Sequence, residues 1–228
     1  MKLLSDLIDL IFPNSCMICE DKINHKNHFI CIHCKNHLPF TNHFNLIDNE
    51  LSRKLSPLFE FERAASLLYF ESSSAPQKLI HQFKYHSKKE LAFELGYLIG
   101  SHLNNSDWVE DVDYLIPVPL HKKKQKLRGY NQSLYLAKGI SDSTGIPILQ
   151  KALFRKKNKE SQTKKSRVER MSSIAQNFEW DTNELKNIGS FALIDDMITT
   201  GATASACINS LPNEKRPDVY FISLAMDK

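Results

Sequence analysis

The chain has 228 residues, 42% hydrophobic and 25% charged, which is long enough for one full α/β core with a small appendage and too short for two large domains. No stretch is apolar for the length a bilayer requires: the opening "MKLLSDLIDLIF" is interrupted by Asp6 and Asp9, which also break the apolar run of an export signal. A cytoplasmic protein with no membrane span is the expectation. The net charge of +4 is unevenly spread: residues 122–128 carry five Lys and Arg and no acid, residues 151–170 carry nine against Glu160 and Glu169, and the remainder is net negative. Basicity confined to two segments points to a local anion site, although either segment alone reads equally well as a solvated loop.

In chain order, Leu3, Leu4, Leu7, Ile8 and Ile11 share one helical face, a packing stripe. Then come "CMIC" (16–19) and "CIHC" (31–34), two Cys-x2-Cys pairs separated by eleven residues. Zinc takes four soft ligands in a tetrahedron, and each such turn supplies two thiolates, so Cys16, Cys19, Cys31 and Cys34 form a candidate Zn²⁺ site. Four thiolates leave no position for water, which makes the site structural; disulfides and a redox Cys-x2-Cys are the alternatives. His25, His28, His33 and His37 crowd the same region as surface residues. Residues 35–60 read as polar and irregular, so the chain divides into an N-terminal helix and knuckle with linker (1–60) and a second domain (61–228).

The second domain alternates. "RAASLLYFE" (63–71) reads as a strand, followed by two helices that break around Ser87, with Leu79, Ile80 and Phe83 on one apolar face and Leu91, Leu95, Leu98 and Ile99 on the next. A strand "VDYLIPVPL", a helix "NQSLYLAKGISDST" closed by Gly145 and a basic polar stretch to about residue 177 come next. A strand "FALID", a helix "TASACINSL" ended by Pro212 and a strand "DVYFISLAM" follow. This order predicts an α/β fold with a doubly wound, mostly parallel sheet covered on both faces.

"FALIDDMITTGAT" (191–203) carries the chemistry. Ligands of doubly wound sheets bind at the carboxyl ends of strands, where Asp195 and Asp196 stand. Thr199, Thr200, Gly201, Ala202 and Thr203 run straight into a helix, whose first backbone N–H groups and threonine hydroxyls can cradle a phosphate. Two carboxylates beside a phosphate need a neutral, donor-rich partner, and a ribose diol is one. The plain alternative is a strand end meeting a capped helix.

This stretch resembles the signature of type I phosphoribosyltransferases that binds 5-phosphoribosyl-1-diphosphate (PRPP). The chain as a whole resembles the ComF family of competence-associated, phosphoribosyltransferase-like proteins. The resemblance rests also on "LIFPNSCMIC…CIHC", on "PVPLHKKKQKLRGYNQ" (117–132), and on a basic linker that holds Arg155, Gln162 and Arg170. It implies a sheet of the type I kind that carries PRPP with Mg²⁺. Asp195 and Asp196 would hold the ribose hydroxyls, and residues 199–203 the 5′-phosphate. Lys124, Arg128 and Gly129 would lie on a pyrophosphate loop, and Arg155, Gln162 and Arg170 on a lid. Tyr130 stands where the family has Phe, and Ser173 and "AQNF" depart from its lid pattern, so the lid aligns with the family's only to within a residue or two. The family further implies a part in DNA uptake, natural transformation or DNA utilisation, with single-stranded DNA and other competence proteins as partners.

No general base and no acceptor pocket is recognisable. No hood segment follows "FISLAM", so an acceptor surface is expected from residues 36–75 or from the lid. His81, Lys84 and His86 are candidates for the site edge, with ordinary helix-surface residues as the plainer reading. Two readings follow: a phosphoribosyltransferase or PRPP-responsive protein, or a non-catalytic protein that handles single-stranded DNA, with Phe83, Tyr85 or Tyr130 available to stack on bases.

Overall fold

The computed structural model describes residues 15–23, 28–85, 88–156, 178–186, 188–212 and 216–228; the opening stripe, His25, His86, Gln162 and Arg170 lie outside them. After the cysteine turns come α1 (Ile32–Asn36), α2 (Glu50–Leu55), β1 (Arg63–Phe70), α3 (Ala75–Tyr85) and α4 (Lys89–Asn104). β2 (Tyr114–Pro117) leads through α5 (Lys122–Arg128) into α6 (Gln132–Thr144). β3 (Leu153–Arg155) pairs antiparallel with β4 (Phe178–Trp180), and α7 (Thr182–Leu185), β5 (Ser190–Ile198), α8 (Ala202–Asn209) and β6 (Asp218–Asp227) follow.

The central sheet has four strands in the order β1-β6-β5-β2, every pair parallel. β5 and β6 are mostly apolar and buried at nearly every position because both of their faces are covered. Phe191, Leu193, Val219 and Phe221 pack with Leu51 and Leu55 of α2, Cys207 and Ile208 of α8, and Trp180. Ala192, Ile194, Tyr220 and Ile222 pack on the opposite face with Phe83 of α3, Leu91 and Leu95 of α4, and Leu136 and Ile140 of α6. α4 and α6 approach unusually closely: a Cβ at Gly139 would lie 2.1 Å from the Phe93 carbonyl oxygen.

Two segments differ from the sequence expectations. The stretch 122–128, expected as a loop, is the helix α5; His121 accepts from the Lys123 N–H at its start, and Gly129 closes it in the left-handed region at φ 79°. Residues 35–60 are more ordered than their polarity suggests. Asn49 and Ser52 form a reciprocal capping box that starts α2, and the Asn49 side chain also donates to the Ala64 carbonyl, tying this linker to β1.

The knuckle sits against α3, α4 and the free edge of β1. The Phe29 N–H donates to Glu94 Oε2 at 2.8 Å, Lys78 Nζ donates to the Ile18 carbonyl at 3.1 Å, and the Tyr69 N–H donates to the Pro39 carbonyl at 2.9 Å. Cys16, Ile30, Cys34 and Leu38 are buried in one continuous cluster with the α4 and α6 face of the sheet.

Candidate functional site

β5 is a central strand, and its carboxyl end is where the two acids stand. They are not equivalent: both meet helices on the same face of the sheet, α6 for Asp195 and α3 for Asp196, but only Asp195 is buried. Asp195 is 8% exposed, pairs in register with Ser223 of β6, and accepts from Ser133 Oγ at 3.3 Å and from the Asp196 N–H at 2.8 Å. Burial pushes its carboxyl up to about 7 and the Asp196 charge adds to this, outweighing the Asp196 amide, Lys84 and Ser133. Asp196 faces α3, where Lys84 Nζ lies 2.7 Å from its Oδ2; both side chains are only about 15% exposed. Ser223 lies in register with Ser66 as well, so a polar row, Ser66–Ser223–Asp195, crosses three strands beneath the site.

Beyond Ile198 the chain turns into α8. Thr199 and Thr200 are exposed, Gly201 precedes the first helical residue at φ 74°, and Thr203 is exposed in the first turn. At Gly201 the positive φ excludes other residues without strain, and a Cβ would meet the Leu55 and Leu58 methyls at 2.8 and 2.7 Å. The Ala202 N–H reaches Thr200 Oγ1 at 3.4 Å, and the first turn of α8 directs its remaining amides outward beside the threonine hydroxyls.

The positive side comes from α3 and α5. Lys124 is exposed on α5. Arg128 Nη1 donates to Gln132 Oε1 at 3.1 Å, and its guanidinium lies 5.7 Å from the centre of the Tyr85 ring. Gly129 then lets the chain reverse so that the buried Tyr130 hydroxyl donates to the Phe83 carbonyl. The end of α3 thus joins the carboxylates, through Lys84, to the basic helix, through Phe83 and Tyr85. Arg155 lies at the end of β3 with its guanidinium over the Phe178 ring; its buried Nε has no hydrogen-bond partner among the described residues, and burial draws its pKa below the ordinary arginine range.

In the knuckle the four cysteine sulfurs all lie within 4.8 Å of one another, and Cys19 Sγ is 3.8 Å from Cys31 Sγ. Tetrahedral zinc with Zn–S bonds of about 2.3 Å sets sulfurs about 3.8 Å apart, so this donor set fits the ion. The Cys31 N–H points at Cys16 Sγ and the Cys34 N–H at Cys31 Sγ, each at 3.4 Å, as thiolate-stabilising donors. Burial raises the Cys16 thiol, yet amides of Cys19, Cys31 and Ile18 outweigh it and bring it down to about 7. The cysteines are not in disulfides, and His28, His33 and His37 are exposed and outside the cluster.

Over 97 residues the chain is 34% identical to competence protein ComFC of Bacillus subtilis, covering 41% of this chain and 37% of that protein. Over 132 residues it is 32% identical to competence protein F of Haemophilus influenzae, covering 55% of this chain and 56% of that one. The chain is a homologue of the ComF competence proteins. The homology spans about half the length of these relatives or less. No protein-family model matches the chain.

In this ComF homologue, β5 and α8 carry Asp195, Asp196 and residues 199–203, and the end of α3 links Asp196, through Lys84, to Arg128, through Tyr85. Gln162 and Arg170 fall outside the described residues. Of the three site-edge candidates on α3, Lys84 departs from the plainer surface reading, since it ion-pairs with Asp196. Its sequence signal was its place one turn after the buried Ile80, on the flank of the apolar face. Ser133 and Gln132 were missed. Gln132 is 1% exposed with an Nε2 that has no partner among the described residues, and only its nearness to Arg128 in the chain hinted at the site.

Proposed function

We propose that this ComF homologue binds PRPP–Mg²⁺ at the carboxyl edge of its sheet and either transfers the phosphoribosyl group or responds to it, in the handling of DNA taken up by the cell. The observation that carries the reading is the acid pair at the end of a central parallel strand, followed by a left-handed glycine and the N-terminus of α8. Asp196 and Asp195 hold the ribose hydroxyls as acceptors, and the amides and hydroxyls of residues 199–203 hold the 5′-phosphate. Lys124, Arg128 and Gly129 form the pyrophosphate loop, and the family resemblance assigns Arg155, Gln162 and Arg170 to a lid. As pyrophosphate leaves C1, charge grows on its oxygens, and donors fixed beforehand stabilise that growth without reorganising. The competence names of the relatives support the setting in DNA uptake, and the knuckle serves as a structural zinc module.

A non-catalytic role on single-stranded DNA draws less support. Of the three aromatic residues that could stack on bases, Phe83 and Tyr130 are buried, and Tyr85, 58% exposed, already carries Arg128 and His81 at its ring. Pyrophosphate release from PRPP across a panel of bases and amines separates the two readings. Release with one acceptor, lost in Asp196→Asn, is the expected result. PRPP binding with no release for any acceptor would assign a sensor, and neither binding nor release would leave the DNA reading.

A further inference from the structure

The two acids are held by two different helices, and each of those helices is tied to the knuckle. Asp196 meets Lys84 of α3, and six residues earlier the same helix meets the knuckle, where Lys78 Nζ donates to the Ile18 carbonyl at 3.1 Å. Ile18 lies inside the first Cys-x2-Cys turn. Asp195 accepts from Ser133 of α6 at 3.3 Å. Further along α6, Gly139 lies against the Phe93 carbonyl of α4. The next residue of α4, Glu94, accepts from the Phe29 N–H at 2.8 Å and lies 3.1 Å from His28 Nδ1.

α3 serves both partners on separate faces. Leu79, Ile80 and Phe83 form its buried face. Lys78 and Gln82, one turn apart, face the knuckle, and Gln82 lines a cavity of about 300 Å³ together with Cys16, Met17 and Phe29. Lys84 stands about 9 Å of helix beyond Lys78. Its neighbours reach the rest of the site: the Phe83 carbonyl accepts from the Tyr130 hydroxyl, and the Tyr85 ring lies 5.7 Å from the Arg128 guanidinium. Leu79 and Phe83 are fully buried, so close packing leaves α3 no slack to absorb a shift at its knuckle end.

The knuckle is the element with two states. Its four sulfurs fit zinc, and a site of this kind rarely exists before its metal binds, so metal binding and folding of the turns are one event. Without the metal, the turns lose the geometry that points the Ile18 carbonyl at Lys78 and the Phe29 N–H at Glu94. Cys16 and Cys34 also belong to the buried cluster that holds Phe83, Leu95 and Leu136.

We propose that the knuckle is an allosteric element: metal occupancy of Cys16, Cys19, Cys31 and Cys34 sets, through α3 and through α4 with α6, where Lys84 and Ser133 hold the two acids, and thereby the affinity of the acids for their ligand. That the ligand is PRPP–Mg²⁺ rests on the function proposed above; the positioning of the acids does not. Coupling between two sites is reciprocal, so the ligand tightens the knuckle's hold on its metal by the same factor. A purely structural knuckle would change how much of the chain is folded and leave the affinity of the folded chain alone.

The test compares the full chain loaded with zinc, the chain stripped with a zinc-selective chelator and desalted, and a zinc-loaded Lys78→Met/Glu94→Leu variant that cuts both ties. PRPP–Mg²⁺ affinity by calorimetry is expected to be about tenfold weaker in the stripped chain and in the variant, and chelator competition is expected to show wild-type zinc held about tenfold more tightly when PRPP–Mg²⁺ is present. Equal PRPP affinity in all three overturns the inference. Should the stripped chain not fold, the zinc-loaded variant decides alone; should the double variant not fold, Lys78→Met at its exposed position takes its place. Hydrogen exchange without ligand separates this inference from the function proposed above. Amides of residues 83–85 and 195–198 are expected to exchange several-fold faster in the variant, with those of α8 on the opposite face unchanged. That pattern without any PRPP binding upholds the coupling and overturns the proposed function. Unchanged exchange at 195–198, or an equal rise in α8, overturns the inference.

Discussion

At the residue scale the site is a set of compromises between charge and burial. Asp195 ionises near neutrality because it is held inside, so its proton is bound more tightly in the folded state than in the unfolded one. Stability from this group is complete below the unfolded carboxylate range and is lost as pH rises toward about 7. Asp195→Asn is therefore expected to be more stable than the wild type at pH 8, by about 2 kcal/mol, with the gap closing as pH falls toward the ordinary carboxylate range; denaturant melts at several pH values check this. If Asp195 accepts ribose hydroxyls, PRPP affinity falls in the same window as acid protonates it. Lys84 and Asp196 form a nearly buried pair. Lys84→Met leaves the carboxylate unpaired and is expected to cost about 2 kcal/mol in thermal or chemical unfolding, whereas a surface pair would cost almost nothing. The acids themselves were legible in the sequence as a strand-end pair. That one turns inward toward Ser133 and the other toward Lys84 was not, because it depends on which helices flank β5.

At the element scale, legibility followed burial. β5 and β6 lie at the centre of the sheet, so their apolar runs announced them, and Gly145 marked the end of α6 as read. α5 was missed because it has no buried face: every residue from 122 to 127 is exposed, and Leu127 is its only apolar one. With no periodicity to read, its sole signal was Gly129, placed as a left-handed helix stop. The close contact between α4 and α6, at Gly96, Gly100 and Gly139, makes a sharp prediction. Gly139→Ala places a Cβ against backbone at 2.1 Å, and the expected loss is about 3 kcal/mol or more, read as a lowered unfolding midpoint.

At the scale of the whole molecule, the knuckle and the sheet share one buried cluster, and Glu94, Lys78 and the β1 edge tie them together. If zinc holds the four cysteines, chelation reaches past the knuckle. Treatment with a strong chelator, or Cys16→Ser, is expected to lower the melting temperature of the entire chain rather than add a separate low-temperature transition, as calorimetric melts would show. The same continuity lets α3 brace the knuckle through Lys78 and meet the carboxylates through Lys84. The central claim is that those carboxylates and the loop after them grip PRPP. Isothermal titration of the full chain with PRPP and Mg²⁺, beside Asp196→Asn, tests it most directly. The account expects one site per chain in the wild type and affinity at least about tenfold weaker in the variant; no heat of binding from the wild type, or equal affinity in both, would contradict it.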